Sequence, residues 1–148
     1  STATARHRSS SRPVYLLDTN VVSELRRPKP NKAVLNWVEG VSADQLFVSA
    51  VTIGEIQVGI EITRDQDPAK AEEIEVWLDQ VVAGYGVLAM DASAFREWAR
   101  LKHRKSDTLI EDAMIAATAS LHRLTVVTRN TRDFESLGMS VINPFGKS

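Results

Sequence analysis

Acidic residues recur where the sequence pattern changes from strand to helix, and this placement suggests a shared site. Five of them lie just after apolar runs or early in the helical segments beside them: Asp18, Glu55, Asp91, Asp112 and Asp133. In open α/β sheets, ligands bind at the carboxyl ends of parallel strands, near the switch in strand order. Carboxylates gathered at such an edge could hold a hard cation or exchange protons with a substrate.

Each of these acids also has a structural interpretation. Two pairs have the spacing of a capping box, Thr52 with Glu55 and Thr108 with Glu111. Asp91 is placed as an N-cap for the helical pattern after it, and Asn130 could cap the turn that carries Asp133. Caps are common and contribute about 1 kcal/mol each, so spacing alone assigns no function to a single acid.

Two of the acids fit the capping interpretation poorly. Asp18 directly follows the apolar run Val14–Leu17, so we expect it to be buried, and an unpartnered buried carboxylate costs several kcal/mol. Asp112 lies in the Ala-rich segment EDAMIAATASLH, where a free acid is out of place. Two such carboxylates at one edge would raise each other's pKa unless a cation joined them, which favours a divalent metal.

The available ligand types favour a hard metal ion. The chain has no cysteine, and its three histidines, His7, His103 and His122, have no useful spacing, which argues against zinc. Oxygen ligands suit Mg²⁺ or Mn²⁺, which retain several waters and leave room for phosphate oxygens. The pattern therefore indicates phosphoryl chemistry.

Short apolar runs alternate with helical patterns from Val14 onward. Strands are predicted at 14–17, 46–50, 86–90 and 125–128, with a last short one in SVIN. Helices are predicted at Val21–Arg27, Lys32–Glu39, Ile53–Ile62, from the break TRDQDPAK to about Ala83, at Ala92–Lys105 and in EDAMIAATASLH. This alternation predicts one α/β domain, with a mostly parallel sheet of four to five strands flanked by helices on both faces.

Composition sets further limits. The 148 residues suit a single domain, and 18 basic against 19 acidic residues give no general basic footprint for nucleic acid. The absence of cysteine fits a reducing cytosol, and no apolar run approaches the roughly 18 residues of a membrane span. The first 13 residues, STATARHRSSSRP, are expected to be a disordered leader or a cloning remnant, which leaves 14–148 as the domain.

Three segments resemble, in order and spacing, a known family: LLDTNVVSEL, SAVTIGEIQVGI and EDAMIAATASLHRLTVVTRNTRDFESLGMSVINPF. They are similar to the PIN-domain ribonucleases that serve as VapC toxins of type II (VapBC) toxin–antitoxin systems, including the FitB-like branch. The resemblance covers about Val14 to Phe145. It implies a PIN fold and a Mg²⁺-dependent endoribonuclease, with Mn²⁺ as the other candidate metal, whose acids include Asp18, Glu55 and Asp112.

The fourth acid of the family is the point where this sequence departs from the pattern. Some members carry Asp directly after the TR pair, whereas here that residue is Asn130 and the acid comes at Asp133. We carry over Asp133 and keep Asn130 as an alternative contact. Three further residues match polar positions that orient the acids or the metal-bound water in the family: Thr19, Asn20 and Thr128. Asp91 is outside the family's acid set. If the third strand lies at the sheet edge, as in PIN folds, Asp91 is expected to lie away from the other acids and to serve only as a helix cap.

The resemblance also implies a mechanism and contacts. Asp18, Asp112 and Asp133 would hold one or two metal ions, and Glu55 would position or deprotonate the attacking water. Arg129 and Arg132 are candidates for binding RNA phosphates, whereas KHRK at 102–105 suits a solvated helix C-terminus. The family further implies a cognate VapB-type antitoxin seated on the early helices, a homodimer, operator DNA bound only through the antitoxin, and a cytoplasmic location.

Other functional classes fit less well. A haloacid-dehalogenase-type phosphatase needs a second acid two residues after the first, where this chain has Asn20, and a receiver domain needs a pair of acids ahead of the first strand's Asp. The remaining alternative is a catalytically degenerate PIN domain that only binds RNA or a partner. The set Asp18, Glu55 and Asp112 argues against degeneracy.

Overall fold

The computed structural model describes residues 12–103, 105 and 110–146. Its strands are β1 (Tyr15–Leu17), β2 (Leu46–Ser49), β3 (Gly86–Leu88), β4 (Thr125–Val127) and β5 (Val141–Ile142). They form one parallel sheet in the order β3-β2-β1-β4-β5. The predicted α/β class and parallel sheet are confirmed.

Seven helices lie within the described ranges: α1 (Thr19–Arg26), α2 (Lys32–Glu39), α3 (Ala50–Gln66), α4 (Pro68–Gly84), α5 (Ala92–Lys102), α6 (Ile110–His122) and α7 (Thr131–Ser136). A single 3₁₀ turn, Ala43–Gln45, precedes β2. The predicted break TRDQDPAK is wrong in extent, because α3 continues to Gln66 and only Asp67 separates it from α4. The Asp67 side chain caps α4, and Pro68 takes its first position, where the missing N–H costs nothing.

The two faces of the sheet carry separate cores, since successive strand residues point to opposite sides. Leu16 and Val126 pack with residues of α6 and α7, whereas Leu17 and Val127 pack with residues of α1 to α4. All four side chains are fully buried. The prediction that helices cover both faces is therefore confirmed.

The strand order reverses at β1, which is where a ligand site is expected. The chain lays β2 and β3 on one side of β1 and then returns to add β4 and β5 on the other. Leu17 is in register with both Val48 and Val127, so the carboxyl ends of the three central strands are level. The backbone N–H of Asp18 donates to the Val127 carbonyl at 2.9 Å, which fixes the residue after β1 against β4.

The chain ends and surface are relevant to two further expectations. Residues 1–11 of the predicted leader lie outside the described residues, so the leader assignment stays a prediction. The last two leader residues contact the 3₁₀ turn: the Arg12 guanidinium lies 3.2 Å from Asp44, and the Pro13 carbonyl accepts from Gln45 at 2.8 Å. In the described ranges, no helix has the length and apolar character needed to cross a membrane.

Candidate active site

Asp18 lies at the centre of the candidate site, at the carboxyl end of β1. Its side chain is only 4% exposed, as the apolar neighbours predict. The carboxylate accepts hydrogen bonds from the Thr19 backbone N–H (2.8 Å), the Thr128 hydroxyl (2.8 Å) and the Asn20 amide (3.2 Å). Asp18 is also the N-cap residue of α1, a role that the sequence reading did not give it. The buried acid is therefore hydrogen-bonded, but no cation among the described residues pairs with it.

Asn20 joins the strand ends of β1 and β4. Its Nδ2 donates to Asp18, and its Oδ1 accepts from the Arg129 backbone N–H at 3.2 Å. This pairing sets the amide orientation, because the reverse orientation would place Oδ1 against the Asp18 carboxylate. The Thr128 hydroxyl, buried beside it, donates to Asp18 and accepts from the Asn130 N–H at 2.8 Å. The structure thus places Asn20 and Thr128 as direct partners of Asp18.

Glu55 reaches the same edge from α3, and the predicted capping box around it is wrong. The helix begins at Ala50 with Ser49 as N-cap, whose hydroxyl accepts from the Val51 N–H at 3.0 Å. Thr52 is therefore inside the helix, and Glu55 lies in its second turn. The Thr19 hydroxyl donates to Glu55 at 2.5 Å. Since a hydroxyl has one proton, the Thr52 hydroxyl must be the donor in its 2.9 Å contact with Thr19.

Asp112 and Asp133 come from the first turns of α6 and α7. Both side chains are half-buried. The pKa of Asp112 is raised to about 6 by burial, then by the charges of Asp18, Asp133 and Glu111. These charge interactions indicate that the acids of three separate segments, the end of β1, α6 and α7, lie near one another.

Asp18, Glu55, Glu111, Asp112 and Asp133 are called the acid cluster below, and burial and mutual repulsion raise the pKa values of three of its members, Asp18, Glu55 and Asp112. Burial, together with a hydrogen bond and charge repulsion from Glu111 and the charge of Asp18, raises the pKa of Glu55 to about 7, although the Thr19 hydrogen bond opposes the rise. The pKa of Asp18 is also raised by burial, against the hydrogen bonds from Thr128 and Thr19. Raised carboxyl pKa values at a strand-end switch point are typical of a functional site. A bound cation would relieve the repulsion.

Glu111 is a site residue that the sequence reading missed. The sequence predicts a capping box between Glu111 and Thr108, and Thr108 lies outside the described residues. The Glu111 carboxyl group contacts Glu55 and contributes to the raised pKa values of Glu55 and Asp112. The available signal was its position next to Asp112 at a helix start, but a single adjacent acid does not reveal which neighbouring helix it faces.

Two of the capping assignments have opposite outcomes. The Asp91 side chain accepts from the Ala94 N–H at 3.0 Å, and it follows the edge strand β3, so it is a cap as expected. Asn130 occupies the N-cap position of α7 but makes no side-chain cap hydrogen bond, so the predicted cap is wrong. The Thr128 hydroxyl accepts the Asn130 N–H instead. The Asn130 side chain is exposed and is not used in holding α7.

The side chains of the site offer a metal ion oxygen ligands. In the part of the chain that the structure describes, no three acidic or histidine side chains are arranged to hold one ion. Mg²⁺, however, is usually bound by one or two carboxylates and retains several waters. Buried and half-buried carboxylates that raise one another's pKa supply such oxygen ligands, so the residues fit a hard cation held partly through water.

Basic side chains lie at the rim of the cluster. Arg129 and Arg132 are exposed, and the Arg129 guanidinium lies 3.9 Å from the centre of the Phe145 ring. Of the KHRK segment, Arg104 lies outside the described residues, and Lys102 lies 5.8 Å from the Trp98 ring centre. Arg129 directly follows Thr128 in the chain and Arg132 lies beside Asp133 in the first turn of α7, and these two residues are called the rim arginines below.

Two grooves meet at Glu55. One, of about 260 Å³, lies between α1, α3 and α4 and is lined by Thr19, Ser23, Arg26, Glu55, Ile56, Gly59, Ile60, Thr63 and Ile74. The other, of about 540 Å³, lies between α3 and α6 and is lined by Val51, Gly54, Glu55, Val58, Glu111 and Met114. On α2, Val34 is buried in the core and Trp37 packs against it. Glu55 is therefore reached by a groove on each side of α3.

Comparison with known proteins agrees with this arrangement. The PIN domain family model matches residues 15–138. The plasmid stability protein StbB of Pseudomonas syringae pv. tomato is 38% identical over 139 residues, covering 89% of this chain and 99% of the relative. The VapC ribonuclease Y4jK of Sinorhizobium fredii is 35% identical over 138 residues, covering 89% and 98%.

Solved structures agree as well. The crystal structure of FitAcB from Neisseria gonorrhoeae superposes with a TM-score of 0.81 at 31% identity, covering 90% of this chain and all of the matched chain. A structure of FitAB bound to an IR36 DNA fragment gives a TM-score of 0.77 at 30% identity, covering 91% and 98%. The chain belongs to the PIN-domain family, which confirms the resemblance seen in its three sequence segments.

Proposed function

We propose that this protein is a metal-dependent ribonuclease toxin of a toxin–antitoxin module, acting in the cytoplasm. It would hydrolyse RNA phosphodiester bonds with a metal-activated water and leave a 5′-phosphate and a 3′-hydroxyl. The observation that carries the proposal is the Asp18 carboxylate, buried at the strand-order switch with other acids around it and no cationic partner among the described residues. The name of the VapC ribonuclease relative supports the same activity.

Asp18, Asp112 and Asp133 would hold Mg²⁺ or Mn²⁺, partly through water molecules on the metal rather than by direct contact of all three carboxylates. A bound metal would lower the pKa of the attacking water molecule and neutralise negative charge on the phosphate. Asn20 and Thr128 orient the Asp18 carboxylate through the hydrogen bonds described above. The Asp18 carboxylate is thus oriented before substrate binds, so it would need little reorganisation in the reaction.

Glu55 would act as the general base. Its pKa of about 7 lets a substantial fraction be deprotonated at neutral pH, and its carboxylate can accept a proton from the attacking water. The Thr19 hydroxyl donates to one carboxyl oxygen at 2.5 Å, which restricts the orientation of the group. No covalent intermediate with the protein is required.

The expected partners follow from the surfaces beside the site. A VapB-type antitoxin would occupy the groove between α1, α3 and α4, whose apolar lining adjoins Glu55. The FitAB–DNA structure supports operator binding through an antitoxin, and a homodimer is the arrangement that the family resemblance favours. RNA would approach over the rim arginines, Arg129 and Arg132.

The test is RNA cleavage by purified full-length protein, free of antitoxin, with and without metal. Mg²⁺ or Mn²⁺ should support cleavage, EDTA should abolish it, and Asp18→Asn should be inactive at all metal concentrations. Because the metal binds only the folded state, it should also stabilise wild type by about 2.7 kcal/mol at 100 times its Kd. RNA binding without cleavage under every metal condition would instead support the degenerate PIN domain.

A further inference from the structure

The chain after β5 places an aromatic ring, that of Phe145, against the Arg129 side chain. The Phe145 N–H donates to the Asn143 side chain at 2.9 Å, which forms a turn, and Pro144 is buried. The Phe145 ring is partly buried and packs against the core formed with α1 to α4. Gly146 follows with a φ of +80°, a conformation that favours glycine. This segment is therefore anchored, and it lies beyond residues 15–138 that define the family match.

The Arg129 backbone is tied to the site independently of its side chain. It follows Thr128, whose hydroxyl donates to Asp18, and its own N–H donates to Asn20 at 3.2 Å. The Arg129 backbone is thus held in place by Thr128 and Asn20, which both hydrogen-bond to the Asp18 carboxylate. From that point the long side chain could turn toward the acids or away from them.

The side chain of Arg129 does not turn toward the acids. Within the described ranges, no carboxylate lies at ion-pair distance from it, whereas Arg27, Arg64 and Arg100 all pair with nearby glutamates. Its guanidinium instead lies 3.9 Å from the Phe145 ring centre. A guanidinium over an aromatic face is held by attraction to the ring while its edge N–H groups remain available.

We propose that Phe145 is a positioning residue that holds the Arg129 guanidinium beside the acid cluster to bind a phosphate of the RNA strand. The ring has a second effect, because it keeps a cation from folding onto carboxylates that a metal would use. The inference rests on the proposed function for its substrate, single-stranded RNA. It adds the C-terminal segment, residues 143–146, to the substrate-binding surface.

The test measures binding of a fluorescent single-stranded RNA in EDTA by anisotropy at several salt concentrations. Arg129→Gln should weaken binding about 5-fold and lower the slope of log Kd against log salt by about 0.7, the value for one phosphate contact on a single strand. Phe145→Leu should also weaken RNA binding, but by no more than the roughly 5-fold loss expected for Arg129→Gln. Phe145→Tyr, which keeps the ring, should bind within about twofold of wild type.

The decisive comparison is the double variant. If Phe145 acts through Arg129, then Phe145→Leu should have no effect on RNA affinity in an Arg129→Gln background. An equal effect in both backgrounds would overturn the proposal, as would unchanged affinity in Arg129→Gln. Thermal unfolding of each variant checks folding, and Phe145→Met, of similar volume but without a ring, replaces Phe145→Leu if that variant does not fold.

Two matched controls exclude general effects. Arg123→Gln removes one positive charge at the amino-terminal end of β4, whereas the acids lie at the carboxyl ends of the strands. This variant should leave the salt slope unchanged. Phe95→Leu removes an exposed ring from α5 and should leave affinity unchanged. Failure of the proposed function appears separately, as absent cleavage with metal, whereas failure of this inference appears in the metal-free binding data.

Discussion

The Thr19 hydroxyl lies 2.5 Å from a carboxyl oxygen of Glu55 and joins the first turn of α1 to the second turn of α3. Thr19 is in turn the acceptor for the buried Thr52 hydroxyl. This chain of two hydroxyls favours the charged form of Glu55, because a donated hydrogen bond stabilises a carboxylate. It works against burial and the repulsion from Glu111, which both raise the Glu55 pKa.

Removing the Thr19 hydroxyl should therefore change the pH dependence of cleavage. In Thr19→Val the Glu55 pKa should rise above its value of about 7, so that the acid limb of the kcat/KM profile moves to higher pH. Thr19→Ser keeps the donor and should retain the wild-type profile. A Thr19→Val profile that coincides with wild type would show that Glu55 is not the titrating base.

The acid cluster should also make the metal-free protein more stable on mild acidification. The folded pKa values of Glu55 (about 7) and Asp112 (about 6) lie above their ordinary values of 4.5 and 3.8. Groups with raised pKa bind more protons in the folded state, so their contribution to stability is complete below the ordinary values and is lost as pH rises through the folded values.

Urea denaturation in EDTA at pH 5.5 and pH 8 measures this effect. The wild-type midpoint should be higher at pH 5.5, and the difference should shrink in the double variant Glu55→Gln, Asp112→Asn. An unchanged difference in that variant would mean that other groups cause it. Saturating Mg²⁺ should raise the midpoint most at pH 8, where the carboxylates are charged.

Asp112 and Asp91 provide a matched pair for separating a metal ligand from a helix cap. Asp112→Asn should abolish cleavage and leave the metal-free protein as stable as wild type or more stable, because one repelling charge is removed. Asp91→Asn should preserve both activity and stability, since Asn caps a helix as well as Asp does. Cleavage assays and chemical denaturation distinguish the two outcomes, and loss of activity in Asp91→Asn would contradict this assignment.

Asp133 and Asn130 should differ in their effect on metal. Asp133→Asn should raise the metal concentration needed for half-maximal cleavage, because an amide offers a hard cation only a dipole. Asn130→Ala should leave the free energy of unfolding within about 0.5 kcal/mol of wild type, as its exposed side chain makes no cap hydrogen bond. Metal titrations of cleavage and urea denaturation would reveal the reverse assignment if Asn130 were the ligand.

The sequence predicted the sheet and the position of Asp18 because the evidence for both is local. An apolar run ending in an acid specifies a strand end, and alternating strands and helices leave few topologies for a parallel sheet. The start of α3 was misplaced for a local reason too. Thr52 and Glu55 have the spacing of a capping box, yet Ser49 caps the helix and both predicted capping residues contact Thr19 instead.

Contacts between distant segments could not be predicted in the same way. The approach of Glu111 to Glu55 depends on how α6 packs beside α3, and neither helix pattern contains that information. The stacking of Arg129 on Phe145 similarly depends on the path of the chain after β5. Both contacts involve side chains at the rim of the cluster, where no apolar periodicity constrains position.

Asp18, Glu55, Asp112 and Asp133 are far apart in the chain, and their spacing matters while the protein is being translated. At ~5–20 residues per second, a ribosome needs on the order of ten seconds to pass from Asp18 to Asp133. If the proposed activity holds, a nascent chain carries no complete site during that interval. The host's RNA is then exposed only after α7 has emerged and packed, which leaves time for an antitoxin already present to bind the newly made protein.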